Sequence, residues 1–178
     1  AARAYQAHPR TQVVGLCDLM RKRVDTLGDE LAVSLRFNDV DSMITDTQPD
    51  IVAISTGTEF HYELCMRVLE HGVNIDVEKP ICVDLEQADA VVAKAEEQGV
   101  RVAVHHQFRV GALMRALSRA FREGSIGRLR YMYATGKGYY GGYGLMNIGT
   151  HLLTYLIKFG GRCRRVVASG VTGGRPIT

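Results

Sequence analysis

The chain has no tryptophan, no C-x-x-C pair and no long apolar run. Without Trp there is no indole belt for a membrane interface. The longest apolar runs, such as Ile51 to Ile54, fall far short of the roughly 20 residues that cross a bilayer. The four cysteines, Cys17, Cys65, Cys82 and Cys163, stand singly in apolar or helical stretches. That spacing reads as neither a zinc site nor a disulfide framework, and it leads us to expect buried, reduced thiols in a cytoplasmic protein. No low-complexity tract is long enough to suggest large-scale disorder, and no secretory leader pattern opens the sequence. Charge of one sign is also scarce. Lys and Arg number 22 and Asp and Glu 19, a net charge of +3, so nothing argues for nucleic acid or a membrane as partner.

What is present is an ordinary globular composition. The 178 residues are 46% hydrophobic and 23% charged, enough apolar material for one substantial core or for one domain and part of a second. The sequence begins at Ala1 inside a helical pattern and ends just after an expected strand, and we expect an internal segment of a longer protein.

Short β-branched runs alternate with amphipathic segments of helical period. Ala1 to Ala7 reads as a helix stopped by His8-Pro9. Strands are expected over Gln12 to Cys17, at Arg36-Phe37, over Asp50 to Ser55, Val73 to Val77 and Val100 to His105. Helices are expected over Leu19 to Leu35, Val40 to Thr45, Glu59 to His71 and Leu85 to Gln98, with Gly72 and Gly99 as C-terminal stops. Repeated β-α units with near-continuous apolar strands point to a parallel sheet covered on both faces. After Arg109 the pattern changes. A helix is expected over Gly111 to Glu123, a turn over Gly124 to Gly127 and an alternating strand over Leu129 to Thr135. A Gly/Tyr loop over Gly136 to Gly144, a helix from Met146 to Phe159 and a strand over Val166 to Thr172 complete the reading. The domain boundary falls near His105.

Ligands of such sheets sit at the carboxyl ends of the strands, and chemically useful residues follow each one. Asp18 ends the first strand, where an acid binds ribose hydroxyls or, more commonly, caps the next helix. Arg21, Lys22 and Arg23 follow, read as solvated helix residues, so NAD is favoured over NADP. Lys79 lies over the crevice in Glu78-Lys79-Pro80, although a surface Lys beside a turn proline would look the same. Asn147 and His151 are four apart on the expected helix and would share a face. A histidine can take a proton from a substrate hydroxyl near neutral pH, yet an isolated helical histidine is more often structural. Tyr139, Tyr140 and Tyr143 in the glycine-rich loop suit a polyol, or are ordinary exposed aromatics. His105, His106 and His151 make a poor metal set, because neighbouring histidines on a strand face opposite ways.

These stretches resemble the Gfo/Idh/MocA family of NAD(P)-dependent oxidoreductases. The resemblance runs in order over nearly the whole chain: the strand ending in Asp18, IVAISTGTEFH, IDVEKPICVDLEQA, HHQFRV, GSIGRLRYM and GYGLMNIGTHLL. It implies an α/β fold with an incomplete Rossmann-type parallel sheet, followed by the start of a second α/β domain with a mostly antiparallel sheet. Residues 1–105 would be a partial dinucleotide-binding domain, and residues 106–178 a partial substrate and oligomerisation domain that makes homo-oligomers. The family's first strand and its G-x-G-x-x-G loop have no counterpart ahead of Asp18.

The same resemblance implies roles. Lys79 matches the catalytic lysine and His151 the general base, while Asn147 stands where many members have Asp and can orient a hydroxyl without accepting its proton. Gln107 and Arg109 match a polar pair after the last Rossmann strand. Thr56, Thr58, His61, Glu78 and Pro80 fall on the cofactor side with Asp18. Gly57 and Thr58 replace the usual Pro and Asn, and Thr154 replaces a frequent Asp. The expected activity is hydride transfer between a sugar, cyclitol or similar polyol and NAD(P). The other readings are an NAD-dependent glycoside hydrolase working by transient oxidation, and an inactive interaction module.

Overall fold

Two compact units, Ala1–His106 and Gln107–Thr178, divide the chain in the computed structural model. It describes residues 1–136 and 145–176, leaving aside the side chains of residues 145, 147 and 172. No helix among them is long and apolar enough to cross a membrane.

The first unit is α/β with parallel sheets. In chain order it holds α1 (Ala2–Ala7), β1 (Leu16–Cys17), α2 (Arg21–Leu31), β2 (Arg36–Phe37), α3 (Val40–Thr47) and β3 (Ile51–Ile54). A 3₁₀ turn (Thr58–Phe60) leads to α4 (His61–Glu70), β4 (Asn74–Glu78), α5 (Leu85–Gln98) and β5 (Val102–His105). β1 pairs with β2, and β3, β4 and β5 form a second sheet in that order, every pair parallel. Between strands in parallel register the chain must cross over, and each crossover here carries a helix.

The helix ends follow from the sequence. Asp84 accepts from the backbone N–H of Gln87 at 2.8 Å, and Gly99 takes φ 67°, so α5 is capped at both ends. Asp39 caps α3 in the same way through Ser42. One face of the three-stranded sheet, Val52, Ile54, Ile75 and Val77, packs with Cys65, Val68 and Leu69 of α4 and with Val91 of α5. Each such aliphatic side chain contributes about 1.5–3 kcal/mol by leaving water. A smaller cluster of Leu16, Val24 and Val33 holds α2 on β1. The opposite sheet face carries Asp76, whose carboxylate accepts from the Tyr5 hydroxyl of α1 at 2.6 Å.

Several elements are shorter than the sequence patterns suggest. The strand expected over Gln12 to Cys17 is reduced to Leu16–Cys17, because pairing with β2 begins only at Leu16. The long second helix is Arg21–Leu31, ended by Ala32 in the left-handed region. Cys17 and Cys163 are exposed, against the expectation of buried thiols; Cys17 points away from the core opposite Leu16, and Cys163 lies in irregular chain after the last helix.

The second unit has α6 (Gln107–Val110), α7 (Ala112–Arg122), a π-helical turn (Leu145–Gly149), α8 (Thr150–Gly160), β6 (Val171–Thr172) and β7 (Arg175–Pro176). β6 and β7 form an antiparallel hairpin. Leu129 to Thr135 is not a strand, despite its alternation. A strand needs a partner for its backbone groups; none of the described residues supplies one, and Tyr131 and Tyr133 are 84% exposed. The expected strand over Val166 to Thr172 survives only at Val171–Thr172 for the same reason.

Candidate functional site

In the first unit the register of the sheet sets the site. Ile54 pairs with Val77, and Glu78 with His105. The residues just past these ends, Thr56 and Gly57 after β3 and Lys79 and Pro80 after β4, therefore lie on neighbouring strand exits. His61, the first residue of α4, joins them. Its ring is 1% exposed. Nδ1 lies 2.9 Å from the Pro80 carbonyl oxygen and Nε2 3.3 Å from that of Thr56. Both partners are acceptors, so a neutral ring donates to one of them, and the shorter contact to Pro80 has the better geometry.

This geometry gives His61 a positioning role: it ties the β3–α4 loop to the Glu78-Lys79-Pro80 turn. The Lys79–Pro80 peptide is cis. The backbone N–H of Lys79 donates to the Glu78 carboxylate at 3.2 Å, and the Lys79 side chain is half-buried. Gly57 has φ −67°, an angle that proline also adopts. Thr58 opens the 3₁₀ turn and is half-buried.

Asp18 stands at the end of β1, on the two-stranded sheet. Its Oδ1 accepts from the Met20 N–H at 2.7 Å, and its Oδ2 lies 4.0 Å from Arg23. The carboxylate thus holds the chain just ahead of α2 and does not cap it, since α2 has no side-chain cap at its N-terminus. Beside it runs a cleft of about 560 Å³ lined by Cys17, Asp18, Met20, Lys22, Arg23 and Leu27, among others. Arg21 is engaged with Asp25 at 2.9 Å. An acidic oxygen next to a cleft at a strand's carboxyl end fits the ribose of a dinucleotide.

In the second unit His151 sits at the start of α8, 5% exposed. Phe108 of α6 covers it, ring centroids 4.2 Å apart at 40°. Phe108 is an element that pattern reading passed over; its only signal was its place between Gln107 and Arg109. Those two are exposed on α6. Thr154 is buried one turn after His151. Asn147 lies in the π-helical turn rather than in an α-helix, so the i, i+4 argument for a shared face with His151 does not apply. Its side chain is outside the described residues, as are Tyr139, Tyr140 and Tyr143. Residues 136–141 happen to spell G-x-G-x-x-G, but no strand precedes them, and the pattern has its phosphate-binding meaning only between a strand and a helix. Among the described residues no three His, Cys, Asp or Glu side chains converge as metal ligands.

A family model, described as an oxidoreductase family with an NAD-binding Rossmann fold, matches residues 1–106. The chain belongs to the Gfo/Idh/MocA family. Curated relatives of this Gfo/Idh/MocA chain include D-apiose dehydrogenase of Paraburkholderia graminis, 33% identical over 65% of this chain and 31% of that protein. D-glucoside 3-dehydrogenase of Escherichia coli is 26% identical over 80% of this chain and 44% of its own length. Among solved structures, an oxidoreductase from Agrobacterium radiobacter in complex with NAD+, L-tartaric acid and magnesium aligns with TM-score 0.77 at 22% identity. It covers 93% of this chain and 54% of its own. The WlbA dehydrogenase from Bordetella pertussis, in complex with NADH and UDP-GlcNAcA, aligns with TM-score 0.76 at 21% identity, over 90% and 54%. The structural likenesses show the fold. The chain spans less than half the length of these curated relatives.

Proposed function

We propose that the protein carrying this chain is an NAD-dependent dehydrogenase of a sugar, cyclitol or similar polyol. The observation that carries this reading is the His61 tie, which fixes the Glu78-Lys79-Pro80 turn at the strand exits of a family Rossmann unit. The names of the curated relatives, sugar dehydrogenases among them, support the substrate class.

Bound NAD supplies the hydride acceptor. Asp18 holds the adenosine ribose, and Thr56, Thr58, Glu78 and Pro80 shape the nicotinamide side, with His61 behind them. Lys79 donates a hydrogen bond from Nζ to the reacting oxygen and lowers the cost of the charge that develops there. His151 takes the hydroxyl proton on a ring nitrogen, and Phe108, tilted against that ring, limits its orientation. Asn147 orients a neighbouring hydroxyl, and Gln107, Arg109, Tyr139, Tyr140 and Tyr143 contact substrate or cofactor. Residues 106–178 belong, in this reading, to a substrate domain whose antiparallel sheet mediates homo-oligomers in the cytoplasm.

The test is an assay of NADH formation with NAD and a panel of neutral polyols, aldoses and glycosides. Net NADH with at least one of them is the expected result. Cleavage of a glycoside without net NADH would replace the dehydrogenase with the transient-oxidation hydrolase, and neither product would leave an interaction module.

A further inference from the structure

The near-neutral total conceals a division. Residues 1–106 carry ten Lys and Arg against eighteen Asp and Glu, a formal −8. Residues 107–178 carry twelve against the single acid Glu123, a formal +11, and ten of the twelve are arginine. These two values make up the +3 of the whole chain.

The fold of the second unit gathers much of this charge at one pole. Phe121 near the end of α7 stacks on Phe159 near the end of α8, centroids 4.6 Å apart at 24°. The C-terminal ends of both helices therefore meet. Arg119 and Arg122 lie in the last turn of α7, and Arg128 and Arg130 follow it in the chain beyond Gly127. Lys158 lies in the last turn of α8, with Arg162, Arg164 and Arg165 just beyond it. All are exposed, and within this unit no described arginine has a carboxylate within 4.0 Å.

A cation or two complements each helix end. Eight at two joined ends exceed that need and repel one another, raising a local potential that attracts anions. Arginine in place of lysine favours forked hydrogen bonds to phosphate oxygens. The pole also has a place for a ring: a cleft of about 220 Å³ is lined by Phe121, Ile126, Leu129 and Tyr131 together with Arg128 and Arg130. It lies at the far end of α8 from His151, roughly 12 Å along the helix at 1.5 Å per residue, so it is separate from the proton-transfer role proposed for that histidine.

We propose that the joined C-terminal pole of α7 and α8 binds a polyphosphate-bearing ligand, phosphates on the arginines and a base or other flat ring on the Phe121–Tyr131 cleft. The shared chemistry is a run of phosphates, from a free nucleotide-type molecule or from a single nucleic-acid strand.

The test uses the full chain and a fluorescein-labelled oligothymidylate of about twelve nucleotides, read by anisotropy across a salt series, with inorganic tripolyphosphate as competitor. Binding is expected, with log affinity falling linearly in log salt. Replacing four arginines by glutamine (R128Q, R130Q, R164Q and R165Q) should weaken it at least tenfold and reduce the slope by about 3, at roughly 0.7 per phosphate contact. A matched variant of the first unit, R10Q with R101Q, should bind as wild type, and the melting temperature of each variant reports folding. Tripolyphosphate that displaces the label at a concentration below the strand's own Kd assigns the site to free polyphosphate, and displacement only well above it assigns the site to the strand. No binding at low salt, or a quadruple variant that binds as wild type while folded, overturns the proposal; so does an equal loss in the matched variant.

Discussion

The imidazole of His61 holds the carbonyl oxygen of Pro80 at 2.9 Å through Nδ1, from a ring that is almost wholly buried. One side chain thereby fixes the turn that presents Lys79. Replacing His61 by Ala removes this tie, leaves the Pro80 carbonyl oxygen without its donor and opens a cavity, and should cost about 2–4 kcal/mol of stability. In the proposed enzyme it should also lower turnover by about 100-fold if Lys79 moves by 1 Å. Chemical denaturation and steady-state kinetics of the variant check the two effects.

Asp39 supplies an acid-dependent term. Its hydrogen bonds from the Ser42 backbone and from Arg67 and the Ser42 hydroxyl lower its carboxyl from 3.8 to about 2. A depressed acid stabilises the fold above its unfolded value and loses that contribution as pH falls through its folded value. The melting temperature should therefore fall between pH 3.8 and about 2, and Asp39→Asn should flatten that part of the profile.

Tyr5 and Asp76 act at the alkaline end. Burial, then the hydrogen bond to Asp76 and its charge, push the Tyr5 phenol up from 10.0 to about 12. A phenol so raised, first by burial and then by its bond to Asp76, favours the fold in its neutral form, a contribution present below pH 10.0 and lost as pH rises towards 12. Tyr5→Phe should cost about 1 kcal/mol at neutral pH. Its difference from wild type should shrink over that alkaline range, as measured by urea denaturation.

The thiols divide by position. Burial pushes the Cys65 thiol up to about 12 and raises that of Cys82. Both should resist alkylation in the folded chain, whereas exposed Cys17 and Cys163 should react. Cys17 should be the slower of the pair at neutral pH, because partial desolvation and the nearby Asp39 and Asp18 raise its thiol. Mass spectrometry after brief iodoacetamide treatment should find label on those two alone, and on all four cysteines in denaturant.

Local signals made much of the first unit readable. Asp84 and Gly99 bracket α5 at the residues where the sequence pattern starts and stops it. The apolar runs of β3 and β4 could be read because parallel strands are buried by their crossover helices. Leu129 to Thr135 shows where such reading ends: alternation records which face a strand would bury, and pairing depends on what lies beside it. Lys79 could be placed from its motif, but the tie made by His61 joins two carbonyls 24 residues apart, Thr56 and Pro80, and no local pattern encodes it. The charge division was present in the sequence and was lost by taking one average over two units.

The most direct test of the central claim is turnover in Lys79→Ala, measured beside NAD affinity in the same variant. The account predicts that NAD still binds while polyol-dependent NADH formation falls at least 100-fold, in line with the loss of a donor to the developing charge. Near wild-type turnover in that variant would contradict the role given to Lys79 and the dehydrogenase site built around it.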